Sequence, residues 1–174
     1  MASTNDFPKP TYITGSCLCG ALKYRIDFPK DHDFDKASGT CQCTQCRKNT
    51  SSLFYIYHKV PFTAFRWTSP TPCPTLKAYQ ATPGNSRGFC TSCGSMMYWR
   101  TNAGPHISVP IGTVDPLFLF GEGADGVEVP KEGFGMALMR CGGGHEWCGN
   151  EIPGVTRKED ISLFKRGEQF LEDD

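Results

Sequence analysis

The sequence predicts an all-β domain, on three observations. Apolar and polar residues alternate with a period of two through several short segments. Nineteen glycines and 13 prolines interrupt those segments at short intervals. No stretch carries the apolar periodicity of a long amphipathic helix, so sheets must supply the core.

Residues 21–28 give the clearest strand, with Leu22, Tyr24, Ile26 and Phe28 on one face and Lys23, Arg25 and Asp27 on the other. Residues 29–38, with Asp31, Asp33, Asp35 and Lys36, read as a solvated loop. Short helical turns are expected just after Cys43 and within residues 161–170. Residues 53–60 are rich in aromatic and β-branched side chains and predict a second strand; residues 62–67 predict a short third one. Residues 75–81, 95–101 and 106–114 continue the series, broken at Gly84-Asn85, Gly104-Pro105 and Asp115-Pro116. The tails, 1–10 and 168–174, are expected to be loosely held. No repeat or linker divides the chain, so one domain spanning residues 1–174 is expected, with its core at about 12–155.

Charge excludes some partners. Eighteen basic residues balance 18 acidic ones, which gives no net field for nucleic acid or an anionic membrane. The first ten residues lack the pattern of a secretory signal, and the apolar cluster near 117–120 is too short to cross a bilayer. A cytoplasmic protein is expected.

Ten cysteines then require a use. They cluster as Cys17-Leu18-Cys19, Cys41-Gln42-Cys43-Thr44-Gln45-Cys46 and Cys90-Thr91-Ser92-Cys93. Such tight pairs suit metal ligation better than separate disulfides, because neighbouring thiols seldom reach different partners without strain. Thiolates are soft donors, and a CxxC turn converges two sulfurs on one tetrahedral ion. Gly20 and Gly94 follow the outer pairs and permit the backbone of a metal knuckle. Two metal sites follow, one of four ligands and one of three, although spacing alone leaves open which pair joins which.

The segments 15–20 (Gly-Ser-Cys-Leu-Cys-Gly), 41–48 (ending Cys46-Arg47-Lys48) and 88–95 (Gly-Phe-Cys-Thr-Ser-Cys-Gly-Ser) occur in an order that resembles the glutathione-dependent formaldehyde-activating enzyme family, which includes centromere protein V. Phe65-Arg66-Trp67 and Gly112-Thr113-Val114-Asp115 are further matches, and the resemblance covers about residues 12–115 well. It implies a β-tent of small antiparallel sheets organised around two zinc ions. It also implies that Cys17, Cys19, Cys90 and Cys93 hold a structural zinc, and that Cys41, Cys43 and Cys46 hold a catalytic zinc with an open position. Family members often carry histidine where this chain has Thr40 and Gln42, and Gly-Ser where it has Asn49-Thr50-Ser51-Ser52.

The implied chemistry follows from charge. Zinc with three thiolates has a formal charge of about −1, which blunts Lewis acidity and favours holding a substrate thiol over activating water. Reduced glutathione held as a thiolate would attack an aldehyde carbon; with formaldehyde the product is S-(hydroxymethyl)glutathione. The expectation is therefore a carbon–sulfur lyase with zinc as cofactor and glutathione as co-substrate, its partners being glutathione and a small aldehyde or thiol adduct. A larger thiol adduct in biosynthesis is the enzymatic alternative, and a non-catalytic, zinc-stabilised interaction module the other.

Arg47 and Lys48 stand beside the triad and are candidates for the glutathione carboxylates. Phe54, Tyr57 and Trp99 are expected to be core or surface aromatics rather than pocket walls. His58, His106 and His145 lie at no ligand spacing from the triad and are read as structural. Cys73, Cys141 and Cys148 are left without a metal partner.

Overall fold

The computed structural model describes residues 7–124, 133–152 and 155–156. These residues form ten strands in two sheets, with four short helices.

In the first sheet, β1 (Tyr12–Ser16) runs antiparallel to β2 (Lys23–Asp27), and β2 pairs on its other side with β5 (Phe65–Trp67). The alternation in β2 is the expected one: Tyr24 and Ile26 are fully buried while Lys23, Arg25 and Asp27 face outward. The second sheet contains β3 (Ser38–Cys41), β4 (Tyr55–Pro61), β6 (Leu76–Thr82), β7 (Asn85–Cys90), β8 (Met96–Thr101), β9 (His106–Pro110) and β10 (His145–Glu146). Its order is β10-β3-β4-β9-β8-β7-β6, antiparallel except for the short β10–β3 pair.

The core lies where the two sheets face each other. Ile13, Leu22, Tyr24 and Ile26 come from one side, and Val60, Met97, Ile107 and Val109 from the other. Each such aliphatic side chain removed from water contributes on the order of 2 kcal/mol. Tyr24 is buried to its hydroxyl, which meets Thr113 Oγ1 at 3.0 Å. α4 (Gly135–Met139) closes one end by burying Ala137 and Leu138 against α1 (Phe34–Ala37) and β4.

Several local expectations change. The predicted strand at 62–67 starts with a 3-10 turn, Phe62–Ala64, so only Phe65–Trp67 pairs. The strand predicted over 106–114 ends at Pro110, which has no N–H for the ladder, and a 3-10 turn follows. The acidic stretch 29–38 is not wholly a loop: Asp33 caps α1 by accepting from Lys36 N, and Phe34 turns into the core. The N-terminal tail is held from Phe7 onward, where the ring packs against the core. α3 (Pro116–Phe120) and α4 were not expected, while α2 (Thr44–Thr50) is the helical turn predicted after Cys43. The helix expected at 161–170 and the tail 168–174 lie outside the described residues.

Candidate metal centres and the adjoining cleft

Seven of the cysteines gather into two thiol clusters, and within each cluster the sulfurs lie within 4.8 Å of one another. Tetrahedral zinc with bonds of about 2.3 Å sets its sulfurs about 3.8 Å apart, so small adjustments bring both clusters onto an ion.

The first cluster is Cys17, Cys19, Cys90 and Cys93. Cys17 and Cys19 lie in the turn from β1 to β2; Cys90 ends β7, and Cys93 lies in the turn from there to β8. The two turns are built alike. Gly20 N donates to Cys17 O and Gly94 N to Cys90 O, and both glycines have φ near +75° (73° and 78°), a region costly for other residues. Sulfur–sulfur distances are 3.5 Å for Cys17–Cys19 and 3.8 Å for Cys19–Cys90. The Leu22 amide donates to Cys17 Sγ, and the Ser95 hydroxyl lies 3.3 Å from Cys93 Sγ. That hydroxyl, with the Ser95 amide, lowers the Cys93 thiol to about 5. Backbone donors aimed at sulfur are what a thiolate needs in order to hold a metal.

The second cluster is Cys41, Cys43 and Cys46, where β3 gives way to α2. Cys43 is the N-cap of α2, its sulfur accepting from Cys46 N at 3.3 Å, so the helix terminus itself favours negative charge there. The Cys46 thiol, donating to Cys41, draws Cys41 down to about 7 against the effect of burial. Cys46 is pushed well up by that same sharing and by burial. Gln42, between the first two cysteines, is buried: its backbone N–H donates to Glu146 O, and its Oε1 accepts from Thr156 and Arg47. The cysteine loop is thus fixed from β10 and from the region of residue 156.

The two clusters differ in surroundings. The triad opens onto a cleft of about 590 Å³ lined by Tyr57, Lys59, Arg87, Trp99, Glu146 and Trp147, among others. Tyr57 donates to Glu146 Oε1 at 2.7 Å, and burial raises its hydroxyl well above the usual phenol range. Tyr57 and Trp99 are therefore cleft walls, contrary to the expectation of purely structural aromatics; Phe54 is not among the lining residues. Neither Arg47 nor Lys48 lines the cleft. Arg47 turns to the carbonyls of Leu53 and Asn150 and to Gln42 Oε1.

No histidine joins either cluster. His58 is buried beneath α4, His106 is exposed at the start of β9, and His145 meets Thr40 Oγ1 at 2.7 Å. Cys73 packs at the core edge, while the Cys141 and Cys148 thiols each donate to a nearby carbonyl. Lys59, Arg87, Glu146 and Trp147 were not read as site residues from the sequence. No local signal marks Arg87, which meets Trp99 only through the β7–β8 register.

Fold and site together define a β protein with two separate thiol clusters whose donor sets suit zinc, one of them facing a cleft. The family model for the glutathione-dependent formaldehyde-activating enzyme matches residues 12–125, and the chain belongs to that family. The family points to an enzyme acting on glutathione and formaldehyde. No curated protein matches the sequence. A crystal structure of a Rhodobacter sphaeroides protein is similar at 20% identity, with 68% of this chain and 99% of that one covered and a TM-score of 0.49. No helix among the described residues is long and apolar enough to cross a membrane.

Proposed function

We propose that this chain is a cytoplasmic, zinc-dependent carbon–sulfur lyase that forms or breaks glutathione–aldehyde adducts, S-(hydroxymethyl)glutathione being the simplest product. The observation that carries the reading is the opening of the Cys41, Cys43 and Cys46 cluster onto a cleft. In this reading Cys41, Cys43 and Cys46 hold the catalytic zinc, Cys17, Cys19, Cys90 and Cys93 the structural one, and residues 1–174 act as a single domain. Zinc at the triad would supply a soft electrophilic position that favours a substrate thiol in its thiolate form.

The chain's own residues arrange the rest. In the forming direction the substrate sulfur adds to the aldehyde carbon, a C–S bond forms, and the carbonyl π pair moves to oxygen, which takes a proton. In reverse the hydroxyl proton leaves, the C=O bond reforms and the C–S pair returns to sulfur. Tyr57, held protonated and bonded to Glu146, is placed in the same cleft to exchange a proton with that oxygen. Trp99 and Trp147 line the cleft and limit water at the carbon. A volume of about 590 Å³ exceeds the need of formaldehyde alone and suits a peptide-sized thiol.

Metal analysis and calorimetry test this directly. Close to two equivalents of zinc are expected, one for each cluster, with one lost in Cys43→Ser. Reduced glutathione should bind the wild type and not that variant, and NMR should detect faster hydroxymethyl adduct formation. A single zinc unaffected by Cys43→Ser, with no heat on adding glutathione, would favour the interaction-module reading.

A further inference from the structure

The floor of the cleft is a single rank of side chains across four strands. Arg87 on β7 pairs with Trp99 on β8, Trp99 with Ser108 on β9, and Ser108 with Lys59 on β4. All four line the cleft. Arg87 is unusual among them because it is a cation left only 5% exposed.

Its hydrogen bonding is incomplete. Nη2 donates to Gln45 Oε1 at 2.7 Å, whereas Nε and Nη1 are buried with no partner among the described residues. A guanidinium carries five donors and does not shed its charge. Leaving it buried and half-satisfied is costly unless an anion compensates. Among the described residues the cleft lining offers one carboxylate, Glu146, and that accepts from Tyr57. No carboxylate of the described lining is therefore left to meet Arg87 Nε and Nη1, and their anion would have to come from a ligand.

Gln45 shows how that anion gains entry. It sits exposed on α2, and its carboxamide is shared between Arg87 and Thr82. An amide oxygen is a neutral acceptor, and a carboxylate makes the shorter, stronger, charge-assisted bond to guanidinium. Releasing Nη2 means breaking bonds that Gln45 makes from an exposed side chain.

We propose that Arg87 is the residue that recognises a substrate carboxylate, with Gln45 as a neutral placeholder that the carboxylate displaces. The proposal rests on the reading above for the sulfur end of the substrate, and it specifies the ligand class as a thiol bearing a carboxylate. It also moves the anion-binding role away from Arg47, whose guanidinium is engaged by carbonyls and Gln42.

The test is an NMR titration of the zinc-loaded protein, following the Arg87 Nε–H resonance, assigned by its loss in Arg87→Lys. Reduced glutathione and succinate should both shift it; glutathione dimethyl ester, with both carboxylates blocked, should not. By calorimetry the ester should bind at least about tenfold more weakly than glutathione, and Arg87→Gln should erase that difference. An Nε–H signal unmoved by both glutathione and succinate overturns the assignment, as does an Arg87→Gln variant that keeps the preference for acid over ester. If Arg87→Gln does not fold, the wild-type titration still decides. Succinate shifting the resonance while glutathione fails to bind would sink the glutathione reading and uphold the carboxylate assignment.

Discussion

His58 lies on the core face of β4 with no solvent exposure. Its Nδ1–H donates to the Leu138 carbonyl at 3.0 Å, so in the neutral ring Nε2 is an acceptor and receives the Nε2–H of His32 at 2.8 Å. This arrangement requires a neutral His58, because a proton on its Nε2 would face the Nε2–H of His32. Burial drives His58 down to about 4, against the pull of the Leu138 carbonyl, and burial lowers His32 too. The sign follows: between pH 6.5 and 4 the unfolded chain binds the His58 proton and the folded one does not. Stability is therefore intact above pH 6.5 and declines below it, by about 2 kcal/mol at pH 5. Urea midpoints measured from pH 7 to 5 should fall more steeply for the wild type than for His58→Gln. The cysteines make the second prediction at this scale. Cys17→Ser removes a buried ligand from the cluster between the sheets and should abolish cooperative folding, whereas Cys46→Ser should spare the fold and abolish turnover. Thermal melts and adduct assays on the two variants check this, and the reverse pattern would mean that the two sites have been exchanged. Cysteine positions were legible in the sequence because ligand spacing is local. Arg87 was not, because its neighbour Trp99 is set by strand register and its burial by the whole sheet.

Elements explain which strands were readable. β2 was legible because one face is buried and the other exposed, leaving a clean alternation. β7 was not, since Asn85, Ser86, Arg87 and Gly88 carry no apolar alternation. The structure gives the reason for that glycine: a Cβ there would lie 2.0 Å from the Tyr98 ring on β8. β3 escaped notice because Ser38, Gly39, Thr40 and Cys41 are all buried, so no alternation marks it. α2 was legible from its cysteines, yet the role of its Arg47 depends on tertiary contacts. Arg47 joins α2 to the Leu53 and Asn150 carbonyls and to buried Gln42. Arg47→Ala should therefore destabilise the protein by about 1–2 kcal/mol, leaving acceptors unpaired. Its glutathione affinity should change less than about fivefold, which is within about 1 kcal/mol. Denaturation and calorimetry on one sample separate the outcomes: unchanged stability with lost binding would return Arg47 to the cleft.

Across the whole molecule the two clusters constrain the chain very differently. Cys41, Cys43 and Cys46 close a loop of a few residues that β3, α2 and Gln42 already hold in place. The other cluster brings together residues 71 apart, Cys19 and Cys90, and thereby fastens the β1–β2 turn of one sheet to the β7–β8 turn of the other. Closing a long loop restrains the unfolded chain more than closing a short one, and four thiolates hold an ion more firmly than three. Metal removal should then occur in two stages. Limiting chelator should strip the triad first, ending turnover and glutathione binding while the melting temperature moves by only a few degrees, a shift that corresponds to about 1 kcal/mol. Excess chelator should empty the second cluster and separate the sheets, with loss of near-ultraviolet circular dichroism. Titrating chelator while recording zinc content, turnover and the melting curve checks the order. Loss of tertiary signal in step with the first zinc would show that the cleft cluster, and not the one between the sheets, holds the fold together.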